Sequence, residues 1–161
     1  MRTIKFRVWE KQENKMINWD ELANPVDMYS DTWIINAFNV AEEEGLVFQQ
    51  YTGLKDVEQF DEPKELYTGD IVRMHQFLFD GDEYENEIIG VLEYDDDLAA
   101  VCLTKMQQED VRRYMGYGTK QDEFEKEKIP VCYFYGLHEC SWTYLGNIFE
   151  NPELLEQPND N

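Results

Sequence analysis

The residues best suited to chemistry lie in the last third of the chain, where Cys132 is followed by His138, Glu139 and Cys140. A thiol beside an imidazole can act as a nucleophile, and the same groups can ligate a metal ion. A structural zinc site, however, uses about four ligands, with its cysteines about two to four residues apart. Cys132 and Cys140 are more widely spaced and no second cysteine pair exists, so we predict no metal ion and no cofactor. Free cysteines are usually buried, and Cys102 and Cys132 are both predicted to lie in the core.

Serine catalysis has equally little support in the sequence. The chain contains two serines, Ser30 and Ser141, and a triad would need His75 or His138 as its base. Neither serine lies in a glycine-flanked G-x-S-x-G turn, and no G-x-x-x-x-G-K-[ST] phosphate loop is present. We therefore predict no catalytic and no cofactor-binding residues, and a protein that is not an enzyme.

The acidic runs resemble calcium loops only in part. The segment 80–85 begins as D-x-D, but Tyr84 occupies the third ligand position and Glu85 stands where the loop needs glycine. The runs 42–44 and 95–97 are consecutive carboxylates, whose side chains diverge instead of converging on one ion. Charge runs ordinarily face solvent, so these segments are predicted to be solvated turns.

The composition limits what the whole chain can do. It has 161 residues, with 14 Lys plus Arg and 35 Asp plus Glu, for a formal net charge of −21. This charge argues against a general nucleic-acid binder and against binding to anionic membrane surfaces. With 42% hydrophobic and 14% aromatic residues, the chain has enough apolar material for one packed domain. An odd number of cysteines, no apolar leader and no long apolar run predict a soluble cytoplasmic protein with reduced thiols.

The elements that must position these residues are mostly strands. Apolar and charged residues alternate in 4–9, which predicts a strand with Lys5 and Arg7 facing solvent, within a β-hairpin over 3–19. The segments 54–65 and 80–87 are predicted to be loops. Further strands are predicted at 32–40, 46–51, 88–94, 98–104, 131–135 and 142–148. The segment 66–74 is predicted to be a tight turn that leads into a strand.

One segment has a composition and spacing that favour a helix. Residues 105–128 are charged and free of proline, and Val111, Tyr114 and Met115 share one helical face. We predict a helical insert at about 105–128 and a short helix at 151–155. With eight or nine short antiparallel strands, this predicts a mainly β fold, a partly open β-barrel with an N-terminal hairpin.

Four blocks of sequence stand in the order expected of one protein family. They are IKFRVW at 4–9, QYTGLKD at 50–56, YTGDIV at 67–72 and LGNIFENPELL at 145–155. Together they resemble the YopX family of small bacteriophage and prophage proteins over nearly the whole chain. The chain departs from the family pattern at 57–64, which is longer and lacks glycine, and at the insert after Thr104.

The resemblance implies an SH3-like barrel, a location in the bacterial host cytoplasm and self-association. It implies no catalytic residues, because the family has no established activity to carry over. We predict a single YopX-like domain over 1–156 and a flexible tail at 157–161. From the residues themselves, Gly53 and Gly69 are expected at turns with positive φ, and Asp70 is expected to accept backbone amide hydrogens within its turn.

The charge is distributed unevenly along the chain. The segment 80–97 holds nine acids and no base, whereas five basic residues lie at the N-terminus: Arg2, Lys5, Arg7, Lys11 and Lys15. This asymmetry fits head-to-tail association between subunits, and it equally fits charges that alternate outward on strands.

Three functions are consistent with these patterns. The favoured one is a non-enzymatic protein-interaction or self-assembling module, acting as a homo-oligomer or with a host or phage protein partner. The alternative is an acidic DNA mimic that inhibits a host nucleic-acid-binding enzyme. The third is an enzyme that uses Cys132, His138 or Cys140, which thiol reactivity would test.

Overall fold

The computed structural model describes residues 3–23, 41, 45–57, 63–80, 82–107, 128–135 and 140–155. These residues form nine strands in two sheets, with antiparallel pairing throughout. The fold is mainly β, with a curled half-barrel sheet and few helices, so the prediction of a mainly β, barrel-like fold is confirmed. Within the described residues, no helix is long and apolar enough to cross a membrane.

The smaller sheet has the strand order β2-β1-β3-β4. Its strands are β1 (Phe6–Glu10), β2 (Lys15–Ile17), β3 (Leu46–Asp56) and β4 (Lys64–Tyr67), and α1 (Trp19–Ala23) follows β2. β1 and β2 form the predicted N-terminal hairpin. Asn14 in its turn has a φ of 54°, a left-handed conformation that asparagine tolerates better than most residues.

The larger sheet has the strand order β8-β7-β6-β5-β9. Its strands are β5 (Asp70–Asp80), β6 (Asp82–Asp95), β7 (Ala100–Thr104), β8 (Lys128–Pro130) and β9 (Cys140–Asn147). α2 (Val131–Tyr135) follows β8 directly. A 3₁₀ helix at Pro152–Leu155 stands where the sequence predicts a short helix.

The main core packs against the larger sheet. Its fully buried members come from five strands: Leu66, Val72, Met74, Ile88, Leu92, Leu103 and Trp142. α2 adds Val131 and Phe134, and the Phe134 ring meets the Trp142 ring edge-on with 5.7 Å between centroids. The core therefore joins residues that lie far apart in the sequence.

The strand predicted at 131–135 is wrong, because this segment forms α2. Its aromatic and β-branched residues favour a strand locally. In the helix, however, Val131 and Phe134 are three residues apart on one face and both are buried, while Cys132 and Tyr133 are exposed. The prediction that Cys132 lies in the core is therefore also wrong, whereas Cys102 is buried as predicted.

Strands extend into both predicted loops, at the two ends of 54–65 and over most of 80–87. In 54–65, β3 continues to Asp56 and β4 begins at Lys64. In 80–87, β6 begins at Asp82 and pairs residue by residue with β5 down to Asp80. The acidic composition of 80–87 favours a loop locally, but pairing with β5 satisfies the backbone groups of β6.

Two predictions fall mainly outside the described residues. The strand predicted at 32–40 lies there entirely, as do residues 108–127 of the predicted helical insert. At the ends of that insert, residues 105–107 are not helical and Lys128 belongs to β8, so the predicted helix boundaries at 105 and 128 are wrong.

Candidate functional site

The thiols singled out in the sequence occupy different environments. Cys102 is buried in β7, Cys132 is exposed on α2, and Cys140 is half-buried at the start of β9. Burial, and then the nearby Asp95, raise the pKa of the Cys102 thiol, which disfavours the reactive thiolate. His138 and Glu139 lie outside the described residues. In the described ranges, no group of three His, Cys, Asp or Glu side chains is arranged to hold a metal ion.

The strand register makes neighbours of a serine, a histidine and a glutamate that are far apart in the sequence. Ser141 on β9 pairs with His75 on β5, and His75 pairs with Glu87 on β6. A serine triad also needs a hydrogen bond from serine to histidine and N–H donors aimed at an oxyanion. At these positions the backbone belongs to regular antiparallel ladders, and the Glu87 carboxylate lies 3.9 Å from Arg73 Nε. Ser141, His75 and Glu87 thus form one row across three neighbouring strands, and Ser30 lies outside the described residues.

The strongest constellation is a buried set that we call the polar junction: Arg7, Gln49, Tyr67 and Asp70. The Arg7 and Asp70 side chains form an ion pair and the two residues are only 5% and 0% exposed. Arg7 Nε also donates to Gln49 Oε1 at 2.7 Å, and the Tyr67 N–H donates to Asp70 Oδ2 at 2.7 Å. Each oxygen of Asp70 therefore has its own donor, as a buried carboxylate requires.

The prediction that Arg7 faces solvent is wrong. In β1, Arg7, Val8 and Trp9 are all buried, so both faces of the strand are covered. Conversely, Ile4, which alternation places in the core, is 62% exposed. The alternation of apolar and charged residues predicts burial correctly when only one face of a strand is covered. It misassigns residues of a strand whose two faces are both covered.

A tight turn between β4 and β5 positions Asp70. Gly69 has a φ of 85°, as its predicted turn requires, and Asp70 accepts the Tyr67 amide hydrogen as predicted. The Gly69 N–H donates to the Leu92 carbonyl at 2.7 Å, and the Ile148 N–H donates to the Gly69 carbonyl at 3.0 Å. A side chain at Gly69 would overlap the Gln49 amide. The turn thus needs glycine for both its conformation and its space.

The electrostatics of the junction follow from burial. Burial raises the pKa of Asp70, and the Arg7 guanidinium opposes this by favouring the ionised carboxylate. Burial also raises the pKa of Tyr67, whose hydroxyl donates to Glu65 Oε2 at 3.1 Å and whose ring lies 4.9 Å from the Arg7 guanidinium carbon. At the edge of the junction, burial lowers the pKa of Lys64.

Side chains of β3 and of the turn after β9 make further contacts between the two sheets. Asp56 is fully buried and its Oδ2 accepts the Tyr144 N–H at 2.8 Å, beside an irregularity in the β5–β9 register. Asn147 Oδ1 accepts the N–H groups of Phe149 and Glu150 at 3.0 and 2.9 Å, which closes the turn after β9. The turn places the Phe149 ring in a stack on Trp9 with 5.3 Å between centroids.

All four sequence blocks therefore contribute to one region. The first supplies Arg7 and Trp9, the second Asp56, the third Tyr67 and Asp70, and the fourth Asn147 and Phe149. A comparison with protein-family models matches the family described as YopX protein to residues 5–156. The chain belongs to the YopX family. No curated protein matches the chain.

The residues that match the YopX family contain the whole polar junction. The match runs from the residue before β1 to the residue after the C-terminal 3₁₀ helix, so it includes all four residues of the junction. The junction's charged groups, Arg7 and Asp70, bind one another and so join β1 of the smaller sheet to β5 of the larger sheet. The YopX blocks of this chain thus hold the two sheets together.

Proposed function

We propose that this YopX protein is of phage or prophage origin and acts through protein–protein contacts without catalysing a reaction. It acts in the cytoplasm of the bacterial host as a homo-oligomer, or with a host or phage protein as its partner. The observation that carries the proposal is the convergence of the first and third YopX blocks on a buried junction whose ionic groups bind one another.

This convergence bears on function because catalytic groups must reach a substrate. Arg7 and Asp70 are the strongest charged pair that the blocks supply, and both are almost wholly buried with protein partners. Groups used in this way stabilise a scaffold. The partner-specific surface then lies outside the junction, where charged and apolar side chains reach solvent.

The first hairpin has less free positive charge than its sequence suggests. Arg7 is paired internally with Asp70, and Lys5 Nζ lies 2.6 Å from Glu65 Oε1. Lys11 and Lys15 remain exposed at the turn between β1 and β2, with Lys15 3.5 Å from Glu21. Head-to-tail association with the acidic segment 80–97 of another copy would therefore use Lys11 and Lys15.

Light scattering after size-exclusion chromatography tests the self-assembly part. We expect a mass that is a multiple of the single-chain mass, and a lower mass for the double variant Lys11→Glu, Lys15→Glu. Lys55→Glu, an exposed reversal on β3, is the control and keeps the original mass. A strictly monomeric protein between about 50 and 500 mM salt removes the homo-oligomer from the proposal.

Affinity purification of the tagged protein from phage-infected host cells, followed by mass spectrometry, tests the partner part. A reproducible host or phage protein supports it, and the absence of any partner together with a monomeric mass contradicts the whole proposal.

A DNA-mimic decoy is the second candidate. The net charge of −21 and the absence of any Lys or Arg between Arg73 and Lys105 favour it, because such mimics present carboxylates at the density of phosphates. Inhibition of host nucleases or restriction enzymes by the purified protein supports the decoy, and failure across a panel of them contradicts it.

A further inference from the structure

No further inference is drawn: the strongest candidate, the end of the β5–β6 ribbon, where residues 77–80 extend past the first residue of β9 and no strand of the described ranges pairs with their outer edge, carries none because nothing in the structure shows what covers that edge.

Discussion

At the scale of single residues, Arg7 and Asp70 stabilise the fold only as a pair. Either charge alone would be buried without a counter-ion, which costs far more than the loss of a surface pair. The Lys105–Glu93 pair, with both side chains well exposed, is the surface counterpart in the same chain.

Asp70→Asn is therefore expected to lower the free energy of unfolding by about 3 to 5 kcal/mol, because it leaves Arg7 buried and unpaired. Glu93→Gln, which breaks the exposed pair, is expected to cost less than about 1 kcal/mol. Urea unfolding followed by circular dichroism measures both. Equal losses in the two variants would show that the junction is not a buried ionic centre.

Gly69 lies in the turn before Asp70, whereas Gly53 lies within β3 beside an irregularity in its register, so the prediction of a turn at Gly53 is wrong. Both have positive φ, at 85° and 91°, but only Gly69 lies against the Gln49 amide, while a Cβ at Gly53 would meet open space. Gly53→Ala is expected to lower the free energy of unfolding by about 1 kcal/mol, through backbone strain alone. Gly69→Ala is expected to lower it clearly more, because the new Cβ also overlaps the Gln49 amide. Thermal unfolding compares them, and a Gln49→Ser background should remove most of the difference. Equal costs would contradict the close approach.

The Tyr67 hydroxyl makes the free energy of unfolding depend on pH in the alkaline range. Burial and the Glu65 carboxylate raise its pKa, so the native chain keeps this proton after the unfolded chain releases it near pH 10. The unfolded state then binds fewer protons, so the stabilisation is complete below about pH 10 and is lost as the pH rises further. Urea unfolding between about pH 9 and 11 should show a falling free energy of unfolding. Tyr67→Phe should make the fall shallower, and the exposed Tyr133→Phe should not.

At the scale of elements, α2 shows how tertiary contacts override local preference. The segment VCYFY has strand-forming residues, but the core below it accepts Val131 and Phe134 at helical spacing. Gln76 Nε2 donates to the Phe134 carbonyl at 3.1 Å and so satisfies a backbone group at the end of this short helix.

Thiol labelling distinguishes the helix from a strand. In α2, Cys132 is exposed and Phe134 is buried, whereas a strand would place them on the same face. We expect Ellman's reagent to label Cys132 rapidly in the native protein and Cys102 only after unfolding, with Cys132→Ser identifying the fast thiol. A protected Cys132 would contradict α2, and rapid labelling of Cys102 would contradict its burial in β7.

At the scale of the whole molecule, the charge of −21 acts on stability as well as on association. Self-repulsion destabilises a compact state, and salt screens it. The melting temperature is expected to rise by several degrees, about 3 to 6, between about 20 and 300 mM sodium chloride. A fall over this range would mean that the ion pairs of the fold outweigh the repulsion between its acidic surfaces.

The sequence by itself determined the mainly β fold class, the N-terminal hairpin, the glycine turn before Asp70 and the YopX family. Each depends on a local pattern: alternation, turn residues, or blocks in a recognisable order. It did not determine that Arg7 is buried, that 131–135 is helical, or that 80–87 is a strand.

These features depend on contacts between residues that are distant in the sequence. Arg7 and Asp70 are 63 residues apart, and only the meeting of β1 with the turn before β5 decides that their charges are buried together. A local pattern indicates that one face of a strand is apolar, whereas the packing of the two sheets decides how many faces are covered. The tertiary structure therefore decided which charges hold this fold together and which remain for a partner.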